Sequence, residues 1–300
     1  MRNAAVLGAL LIASLASAQT IQNHPYISAE TSNAIANEWT RPMEPFKILD
    51  GLYYVGSENI ASHLFTTPEG HILLDTGMPA MHQAVKGNIE KLGFKLSDIR
   101  IIISTHAHID HVGGHAEMKK ATGAQVMAVG EDARALELGK DLSPVAYLGW
   151  TPVKVDRVLK DGDTVSLGGV ALRAVWTPGH TPGATTWVTT LVDGGRSYKV
   201  VFPGGAVPNP GPPVVGNANH PTLANDTLST FQKLRQLNPD IQLPGHPGQL
   251  FTGKLDGLRS GLRPHPLLVP AGEWVKGIDA QEVAFRKRME ADAAKLSARQ

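Results

Sequence analysis

A cluster of metal-ligand side chains directly follows an apolar segment of the chain. Residues 100–104 are rich in β-branched side chains and are predicted to form a buried strand. The next residues read THAHIDH (105–111), so four ligand-type side chains fall within six positions. Packing does not explain this pattern, because uncompensated burial of so many polar groups would cost on the order of several kcal/mol each. We interpret the segment as a metal-binding loop; the alternative is a His-rich surface loop without metal.

The composition limits which side chains can hold the metal. The chain of 300 residues has 12 His and no Cys, which excludes thiolate ligands, disulfides and cysteine nucleophiles. Neutral imidazole suits Zn²⁺, and a catalytic zinc has three protein ligands and one open position. On a loop that leaves a strand, His106 and His108 project to one side, and Asp110 and His111 turn toward a second ion. Each pair therefore needs one further ligand from elsewhere in the chain.

Two later His residues are candidates for these missing ligands. His180 lies in WTPGHTPG (176–183) and His246 in LPGHPG (243–248), where predicted strands end in Gly/Pro turns. The Gly before each His lets the backbone approach an ion closely. A lone His in such a turn is more often structural, but the two incomplete ligand sets favour metal binding.

Short strands separated by Gly and Pro alternate with helices in two similar halves. This pattern predicts two β-sheets packed face to face with helices outside. Strands are predicted at residues 52–55, 63–67, 71–75, 100–104, 125–129, 163–167, 170–177, 185–191, 198–202 and 241–243, and helices at 81–92, 117–122, 223–237 and 280–296. No linker rich in Ser, Gly and Pro divides the halves, so one domain is expected over residues 19–300.

The first eighteen residues have the order of a secretory signal peptide. Arg2 supplies a positive charge, residues 4–15 form an apolar run, and small residues ending at Ala18 form a cleavage site before Gln19. Cleavage there would deliver residues 19–300 to the periplasm or the medium. The apolar run is too short for a transmembrane helix and no later segment is longer, so no membrane partner is expected after cleavage. The alternative is a short buried N-terminal helix.

The charge balance argues against nucleic acid as a partner. Lys and Arg number 28 against 27 Asp and Glu, and loss of Arg2 with the leader would make the mature chain formally neutral. Nucleic-acid binders normally present a basic face, which this sequence lacks. The sequence leaves the oligomeric state open.

Taken together, the motifs resemble the metallo-β-lactamase superfamily. HxHxDH (106–111) occurs with LLDTG (73–77) and with GHT (179–181). Finer stretches resemble subclass B3 β-lactamases, namely WTRPMEPFKI (39–48), LYYVG (52–56), HTPGATTW (180–187) and the late Gly-His-Pro. The resemblance runs from about Trp39 to the C-terminus. It implies an α/β fold, an αββα sandwich of two mixed β-sheets flanked by helices.

The resemblance also implies two Zn²⁺ per chain and assigns their ligands. One ion would bind His106, His108 and His180, and the other Asp110, His111 and His246. Asp75 would form hydrogen bonds near the ligand loop without touching metal. The other His residues are expected to be structural or on the surface (His24, His63, His71, His82, His220 and His265), with His115 capping or flanking a helix.

The implied activity is hydrolysis of the β-lactam amide bond, which would confer antibiotic resistance. A hydroxide held between the two zinc ions would attack the lactam carbonyl, so no side-chain nucleophile is required. Asp110 would act as a catalytic residue that orients this hydroxide. The expected partner is therefore a small-molecule β-lactam.

Two alternatives stay open. Glyoxalase II-like thioesterases and lactonases resemble this chain at HxHxDH, but they carry a metal-bridging Asp at the end of the strand that here reads VVFPGG (200–205), which has no Asp. The other alternative is a secreted zinc-binding protein with weak catalysis, although a structural zinc would have four protein ligands.

One stretch departs from the subclass B3 pattern. The Ser positions that hold the β-lactam carboxylate are Gly204, Gly205 and Val207 in this chain, so an altered substrate profile is expected. The nearby Asn209, Asn217 and Asn219 either bind that carboxylate or cap loops.

Overall fold

The computed structural model describes residues 37–146 and 149–298. Within these ranges a first sheet contains seven strands in chain order: β1 (Phe46–Leu49), β2 (Leu52–Tyr54), β3 (His63–Thr67), β4 (Gly70–Leu74), β5 (Ile99–Ile103), β6 (Gln125–Val129) and β7 (Arg157–Leu159). Pairing is antiparallel from β1 to β4 and parallel from β4 to β7. The sheet is therefore mixed, and its parallel strands end at one common edge.

The second sheet comes from the second half of the chain. Its described strands are β8 (Thr164–Leu167), β9 (Val170–Trp176), β10 (Thr185–Asp193), β11 (Arg196–Phe202) and β12 (Ile241–Gln242), in the order β12-β11-β10-β9-β8. Neighbours are antiparallel except β11 and β12, which run parallel.

Seven α-helices lie wholly within the described ranges, and residues 37–39 are also helical. They are α1 (His82–Lys91), α2 (Ile109–Val112), α3 (His115–Thr122), α4 (Gly130–Leu138), α5 (Leu223–Arg235), α6 (Leu255–Ser260) and α7 (Glu273–Ser297). Short 3₁₀ turns occupy Pro79–Met81 and Leu96–Asp98. None of these helices combines the length and the apolar composition that a bilayer span requires.

The side chains of the central strand β5 point alternately to the two faces of the first sheet, and both faces are buried. Ile101 and Ile103 of β5 pack between the two sheets, with Trp187 and Phe202 from the second sheet. Ile102, between them in sequence, faces the opposite way toward α1, α3 and α4. A parallel strand covered on both faces has a continuous apolar sequence, as residues 101–103 do. Full burial of each such side chain contributes about 1.5–3 kcal/mol.

The outer face of the second sheet is covered by the two long helices of the C-terminal half. Val201 of β11 packs against Phe231 of α5 and Trp274 of α7. The indole Nε1 of Trp274 donates a hydrogen bond to the carbonyl of Leu234 at 2.7 Å, which joins α7 to α5. The layers are therefore helix, sheet, sheet and helix, which confirms the predicted αββα sandwich.

Most predicted elements are present with shifts of a few residues, and five were missed. These are β1, β7, α2, α4 and α6, all of ten residues or fewer with little periodic signal. The expectation of a loop over residues 105–111 is therefore wrong at its end, where Ile109–Val112 form a short helix. The prediction that the last helix begins at 280 is wrong, since α7 begins at Glu273. Gly277 lowers helix propensity there, but burial of Trp274 and Ile278 outweighs it. The predicted signal peptide (1–18) and His24 lie outside the described residues.

Candidate metal centre

The edge where the parallel strands end carries the HxHxDH segment. β5 ends at Ile103, residues 104–108 turn away from the sheet, and α2 begins at Ile109. The backbone N–H of Thr185, at the start of β10, donates to the carbonyl of Thr105 at 2.8 Å and brings the second sheet to the same place. The indole of Trp187 donates to the carbonyl of Ser104 at 2.9 Å. Both sheets therefore deliver their loops to one edge of the sandwich.

The first ligand cluster joins His106, His108 and His180. Their ring centroids lie 4.8 Å (His106–His108), 4.5 Å (His106–His180) and 4.6 Å (His108–His180) apart. One candidate ligand nitrogen from each ring lies within 4.8 Å of the others. The structure thus brings together the three His residues that the family resemblance assigns to one ion.

In two of these rings, a hydrogen bond occupies one nitrogen and leaves the other nitrogen to bind metal. Nδ1 of His180 lies 2.7 Å from the carbonyl oxygen of Val207, which can only accept, so this nitrogen carries the proton. Thr105 Oγ1 donates to Asp75, and Nδ1 of His106 lies 3.2 Å from the same hydroxyl oxygen and donates to it. Nε2 of His106 is left buried without a hydrogen-bond partner among the described residues. An orphaned imidazole nitrogen in such a cluster fits a metal ligand.

The second cluster joins Asp110, His111 and His246. Oδ2 of Asp110 lies 3.2 Å from Nε2 of His111 and 3.0 Å from Nε2 of His246, and the two Nε2 atoms are 3.3 Å apart. Nδ1 of His246 donates to the carbonyl of Asn59 at 3.0 Å, which directs Nε2 into the cluster. Two nitrogens and one carboxylate that converge in this way suit a divalent cation.

The two clusters lie side by side and differ in exposure. The rings of His106 and His111 have centroids only 4.0 Å apart, and no side chain belongs to both clusters. The side chain of His246 is 43% exposed, whereas His106 and His108 are buried. The second cluster is therefore open to solvent at His246.

Burial and neighbouring charges set the protonation of the rings before metal binds. Burial lowers the pKa of His108 to about 4 and that of His180 to about 3, so both rings are neutral at pH 7 and ready to bind metal. Burial also acts to lower the pKa of His111, but the carboxylates of Asp110 and Asp75 outweigh it and raise that pKa to about 10. A metal at the second cluster would therefore displace a proton.

Asp75 supports the ligand loop from the end of β4. Its carboxylate accepts hydrogen bonds from the backbone N–H of Thr105 at 2.7 Å and from the Thr105 hydroxyl at 2.7 Å, and it lies 3.1 Å from Nδ1 of His111. Asp75 has φ of 60°, a left-handed conformation that is costly for a non-Gly residue. The sequence predicts hydrogen bonds near the loop for Asp75, and the structure contains them.

Asp132 is a supporting residue that the sequence reasoning missed. This buried carboxylate accepts hydrogen bonds from Ala107 N at 2.8 Å, from the Thr181 hydroxyl at 2.7 Å and from Gly183 N at 2.8 Å. Burial raises the pKa of Asp132 to about 6, although the three hydrogen bonds oppose that shift. The loop of His106 and His108 and the loop of His180 are thus tied to one carboxylate.

Asp141 was also missed. It is buried, its Oδ2 lies 3.8 Å from Nε2 of His108, and it accepts a hydrogen bond from Ser143 N at 2.7 Å. Burial raises the pKa of Asp141 to about 6. Its position beside a predicted ligand follows from tertiary structure, and its local sequence, KDLSP, carries no recognisable signal.

Two of the three positions that replace the subclass B3 Ser residues, Gly204 and Gly205, have no room for side chains. Gly205 has φ of +95°, and a Cβ on it would lie 2.6 Å from Cγ of His180. A Cβ on Gly204 would lie 2.5 Å from the carbonyl oxygen of Thr185. The backbone of this chain is therefore built for Gly at both places.

The contacts of two further polar residues near the site, Asn217 and His115, show what each of them does. Oδ1 of Asn217 accepts hydrogen bonds from the backbone N–H groups of Asn219 at 3.1 Å and His220 at 3.2 Å, which is a loop-capping role. His115 begins α3, is fully buried and lies with Nδ1 2.8 Å from the Thr76 hydroxyl, so it flanks the helix as expected.

Comparisons with known proteins agree with this geometry. Residues 55–246 match the family model of the metallo-beta-lactamase superfamily. The fold matches the crystal structure of BJP-1, a subclass B3 metallo-β-lactamase of Bradyrhizobium japonicum, with a TM-score of 0.78 and 38% identity, covering 86% of this chain and 98% of that one. It also matches the native FEZ-1 metallo-β-lactamase of Legionella gormanii, with a TM-score of 0.78 and 35% identity over 85% of this chain and 98% of that one.

Curated sequence relatives match a shorter region. A hydroxyacylglutathione hydrolase of Rhodospirillum rubrum is 32% identical over 105 residues, which is 35% of this chain and 34% of that protein. The chain spans about a third of the length of the curated relatives it matches. The family match and the full-length structural matches nevertheless agree with the ligand clusters and the sandwich. The chain therefore belongs to the metallo-β-lactamase superfamily and has the fold of its subclass B3 enzymes.

Proposed function

We propose that this protein hydrolyses the amide bond of β-lactams with two zinc ions. The observation that carries the proposal is the pair of adjacent three-ligand clusters that share no side chain. Support also comes from the structural match to a subclass B3 β-lactamase over 98% of that protein's length. The expected ligands are His106, His108 and His180 for one ion and Asp110, His111 and His246 for the other.

When bound, zinc polarises a carbonyl oxygen and lowers the pKa of a bound water to about 7. The chain's own groups then provide orientation. Oδ2 of Asp110 lies 3.2 Å from Nε2 of His111 and 3.0 Å from Nε2 of His246, so this carboxylate would accept a proton from a water in the second cluster and orient it toward the substrate. Asp75 and Asp132 keep the loops in place, which lowers the cost of ordering the site during the reaction.

Thioester hydrolysis is the second candidate function. The observation in its favour is the match to hydroxyacylglutathione hydrolases over about a third of the chain. The end of β11 argues against it, because residues 200–205 contain no Asp and a Cβ on Gly204 or on Gly205 would lie within 2.6 Å of another atom. Lactone hydrolysis, and zinc binding with weak catalysis, are further outcomes that an assay would separate.

We also propose that residues 1–18 are removed and that residues 19–300 act as one domain in the periplasm or outside the cell, where β-lactams are encountered. Expression of the full sequence followed by N-terminal sequencing of the exported protein tests this proposal. Gln19 is the expected first residue; a start at Met1 on the exported protein would contradict it.

The decisive experiment measures zinc content and turnover on the same preparation. We expect about two zinc ions per chain and chelator-sensitive hydrolysis of a penicillin, a cephalosporin or a carbapenem, with little hydrolysis of a homoserine lactone or a hydroxyacyl-glutathione thioester. His106→Ala should lose zinc and turnover, whereas His82→Ala on α1 serves as the matched control. Turnover of the thioester alone would reject the β-lactamase proposal, and two zinc ions with no turnover would favour a binding protein.

A further inference from the structure

The segment that follows β11 holds the ring of His180 at two points. The carbonyl of Val207 accepts a hydrogen bond from Nδ1 of His180 at 2.7 Å. The backbone of Gly205 lies so close to the ring that a Cβ on it would be 2.6 Å from Cγ of His180. The hydrogen bond keeps the proton on Nδ1 and so leaves Nε2 to bind metal. A shift of this segment would therefore disturb one ligand of the three-His cluster.

This segment, residues 203–216, has few backbone donors of its own. Five of its fourteen residues are Pro, which lacks an N–H group. It contains no helix and no strand, and two of its members, Pro208 and Pro212, are buried. Carbonyl groups in such a place need donors. The segment therefore depends on other parts of the chain for its hydrogen bonds.

Arg288 of α7 supplies donors for three of these carbonyls. Its Nη1 donates a hydrogen bond to the carbonyl of Pro208 at 3.0 Å. Its Nη2 donates to the carbonyls of Asn209 at 3.1 Å and Pro212 at 2.7 Å. A guanidinium carries five N–H donors in a rigid planar fork, so one side chain can bind several carbonyls at once. Because the donor is charged, these bonds are stronger than bonds between neutral groups.

Asp292 adds a hydrogen bond of the opposite polarity to the same segment. Its Oδ2 accepts a hydrogen bond from the backbone N–H of Val214 at 2.8 Å. Arg288 and Asp292 are four positions apart in a helix and therefore lie on one face of it. The helix is itself fixed, because Phe285 packs against Phe231 of α5. One face of α7 is thus a firm support for residues 208–214.

We propose that Arg288 is a positioning residue for the metal ligand His180. By fixing residues 208–212 it holds the carbonyl of Val207 in place, and that carbonyl determines which nitrogen of His180 binds metal. In the described structure the hydrogen bonds of Arg288 go to these carbonyls and to no residue of either cluster, so its effect passes through the segment. The inference rests on the zinc-binding part of the proposed function and is independent of the substrate.

NMR of the imidazole N–H protons tests the hold on His180. It uses the zinc-loaded protein, or the protein as isolated if it takes up no zinc. Arg288→Gln should speed exchange of the Nδ1 proton of His180 with solvent by about tenfold, because its hydrogen bond is then formed for less of the time. His265 is an internal reference, since it is buried and its Nε2 donates to the carbonyl of Ile48 at 2.9 Å. Its exchange should not change, whereas a general loosening of the fold would speed both protons.

Zinc affinity tests whether this hydrogen bond matters for the metal. In a His246→Ala background only the three-His cluster is expected to bind zinc, and competition with a chromophoric chelator gives its Kd. Adding Arg288→Gln should raise this Kd by about three- to tenfold, at the lower end of the effect of groups that support metal ligands directly. Arg288→Lys keeps the charge but offers one nitrogen to three carbonyls, so its effects on exchange and on Kd should be smaller.

Arg286→Gln is the matched control. It changes the same residue type on the same helix, but the side chain of Arg286 is 55% exposed and binds Glu282 at 2.7 Å. This variant should leave the exchange of His180 and the zinc Kd unchanged. The inference is overturned by equal effects of the two Gln variants, by unchanged exchange of His180 in Arg288→Gln, or by faster exchange with an unchanged Kd. Should Arg288→Gln fail to fold, wild-type exchange and wild-type Kd in Arg288→Lys would overturn it.

These measurements separate the inference from the proposed function, because neither of them uses a β-lactam. If no β-lactam is hydrolysed but Arg288→Gln has both expected effects, the proposed reaction fails and the role of Arg288 stands. If the wild type takes up no zinc, the zinc proposal fails, and the exchange rates of His180 and His265 alone decide whether Arg288 holds the ring.

Discussion

Asp132 accepts a hydrogen bond from the hydroxyl of Thr181 at 2.7 Å and thereby holds the loop of His180 to the first turn of α4. The same carboxylate holds Ala107, between His106 and His108. One buried side chain therefore sets the distance between ligands that lie far apart in sequence. Groups that support metal ligands in this way typically contribute 10–100-fold to metal affinity.

Asp132→Asn should lower zinc affinity at the three-His cluster by about tenfold or more, because an amide cannot accept all three hydrogen bonds. It should also lower the free energy of unfolding by about 1–3 kcal/mol, since a buried donor is left unpaired. Competition with a chromophoric chelator and urea unfolding measure the two effects. Glu131→Gln is the control, because Glu131 is exposed and pairs only with Arg134 among the described residues. Equal zinc affinity in the two variants would show that Asp132 does not position the ligands.

Gly205→Ser should not restore the substrate contact that Ser makes in typical subclass B3 enzymes. Its Cβ would lie 2.6 Å from Cγ of His180, so the ring must move and zinc at the three-His cluster should be lost. Zinc content and kcat/KM measure this. Gly195→Ser has a similar φ of +80° but no neighbouring heavy atom within 4 Å, so it should cost only backbone strain of about 1–2 kcal/mol. Improved β-lactam turnover with full zinc in Gly205→Ser would contradict the steric argument.

Local patterns in the sequence predict most of the candidate ligands but none of the carboxylates that support them, apart from Asp75. His106, His108, Asp110 and His111 stand together in the chain, directly after an apolar strand, so their type and spacing predict their role. Asp132 follows Glu131 at the start of a helix, where acidic residues are favoured in any case. Its partners are 25 or more positions away, so only the tertiary structure distinguishes it.

For the fold, too, local sequence patterns predict some elements, whereas others depend on tertiary contacts. Residues 101–103 of β5 are covered on both faces, so the sequence shows them as an apolar run from which the strand can be predicted. The start of α7 was placed too late because Gly277 and the Pro and Gly before Glu273 argue against a helix by propensity alone. The helix nevertheless begins at Glu273, because Trp274 and Ile278 pack on the second sheet. This packing stabilises the helix through residues that are distant in sequence, so local propensity does not reveal it.

Zinc should bind in two separable steps, because the clusters differ in exposure. His246 is 43% exposed while His106 and His108 are buried, so the Asp110 cluster is expected to bind more weakly and to lose its ion first to a chelator. Competitive titration should show two stoichiometric steps, and His246→Ala should remove only the weaker one. The control is His220→Ala, which should retain both steps. Loss of both ions in His246→Ala would mean that the clusters bind as one unit.

His63 should make the free energy of unfolding depend on pH below about 6.5. It lies in the core against Tyr54 and Phe202, and burial lowers its pKa to about 3. The unfolded chain binds a proton to this ring near its ordinary pKa of 6.5, but the folded chain does not. Stability from the neutral ring is therefore present above pH 6.5 and is lost as the pH falls toward 3, at up to about 1.4 kcal/mol per pH unit.

His63→Phe tests this, because it keeps an aromatic ring in the core and removes the titrating group. Urea unfolding of the metal-free protein at pH 7.0 and pH 5.5 should show that the wild type loses about 1–2 kcal/mol more than the variant over this interval. The comparison cancels the contributions of the ligand His residues, which both proteins contain. Equal losses in the two proteins would mean that the ring of His63 gains a proton in the folded state, and would contradict its placement in a dry core.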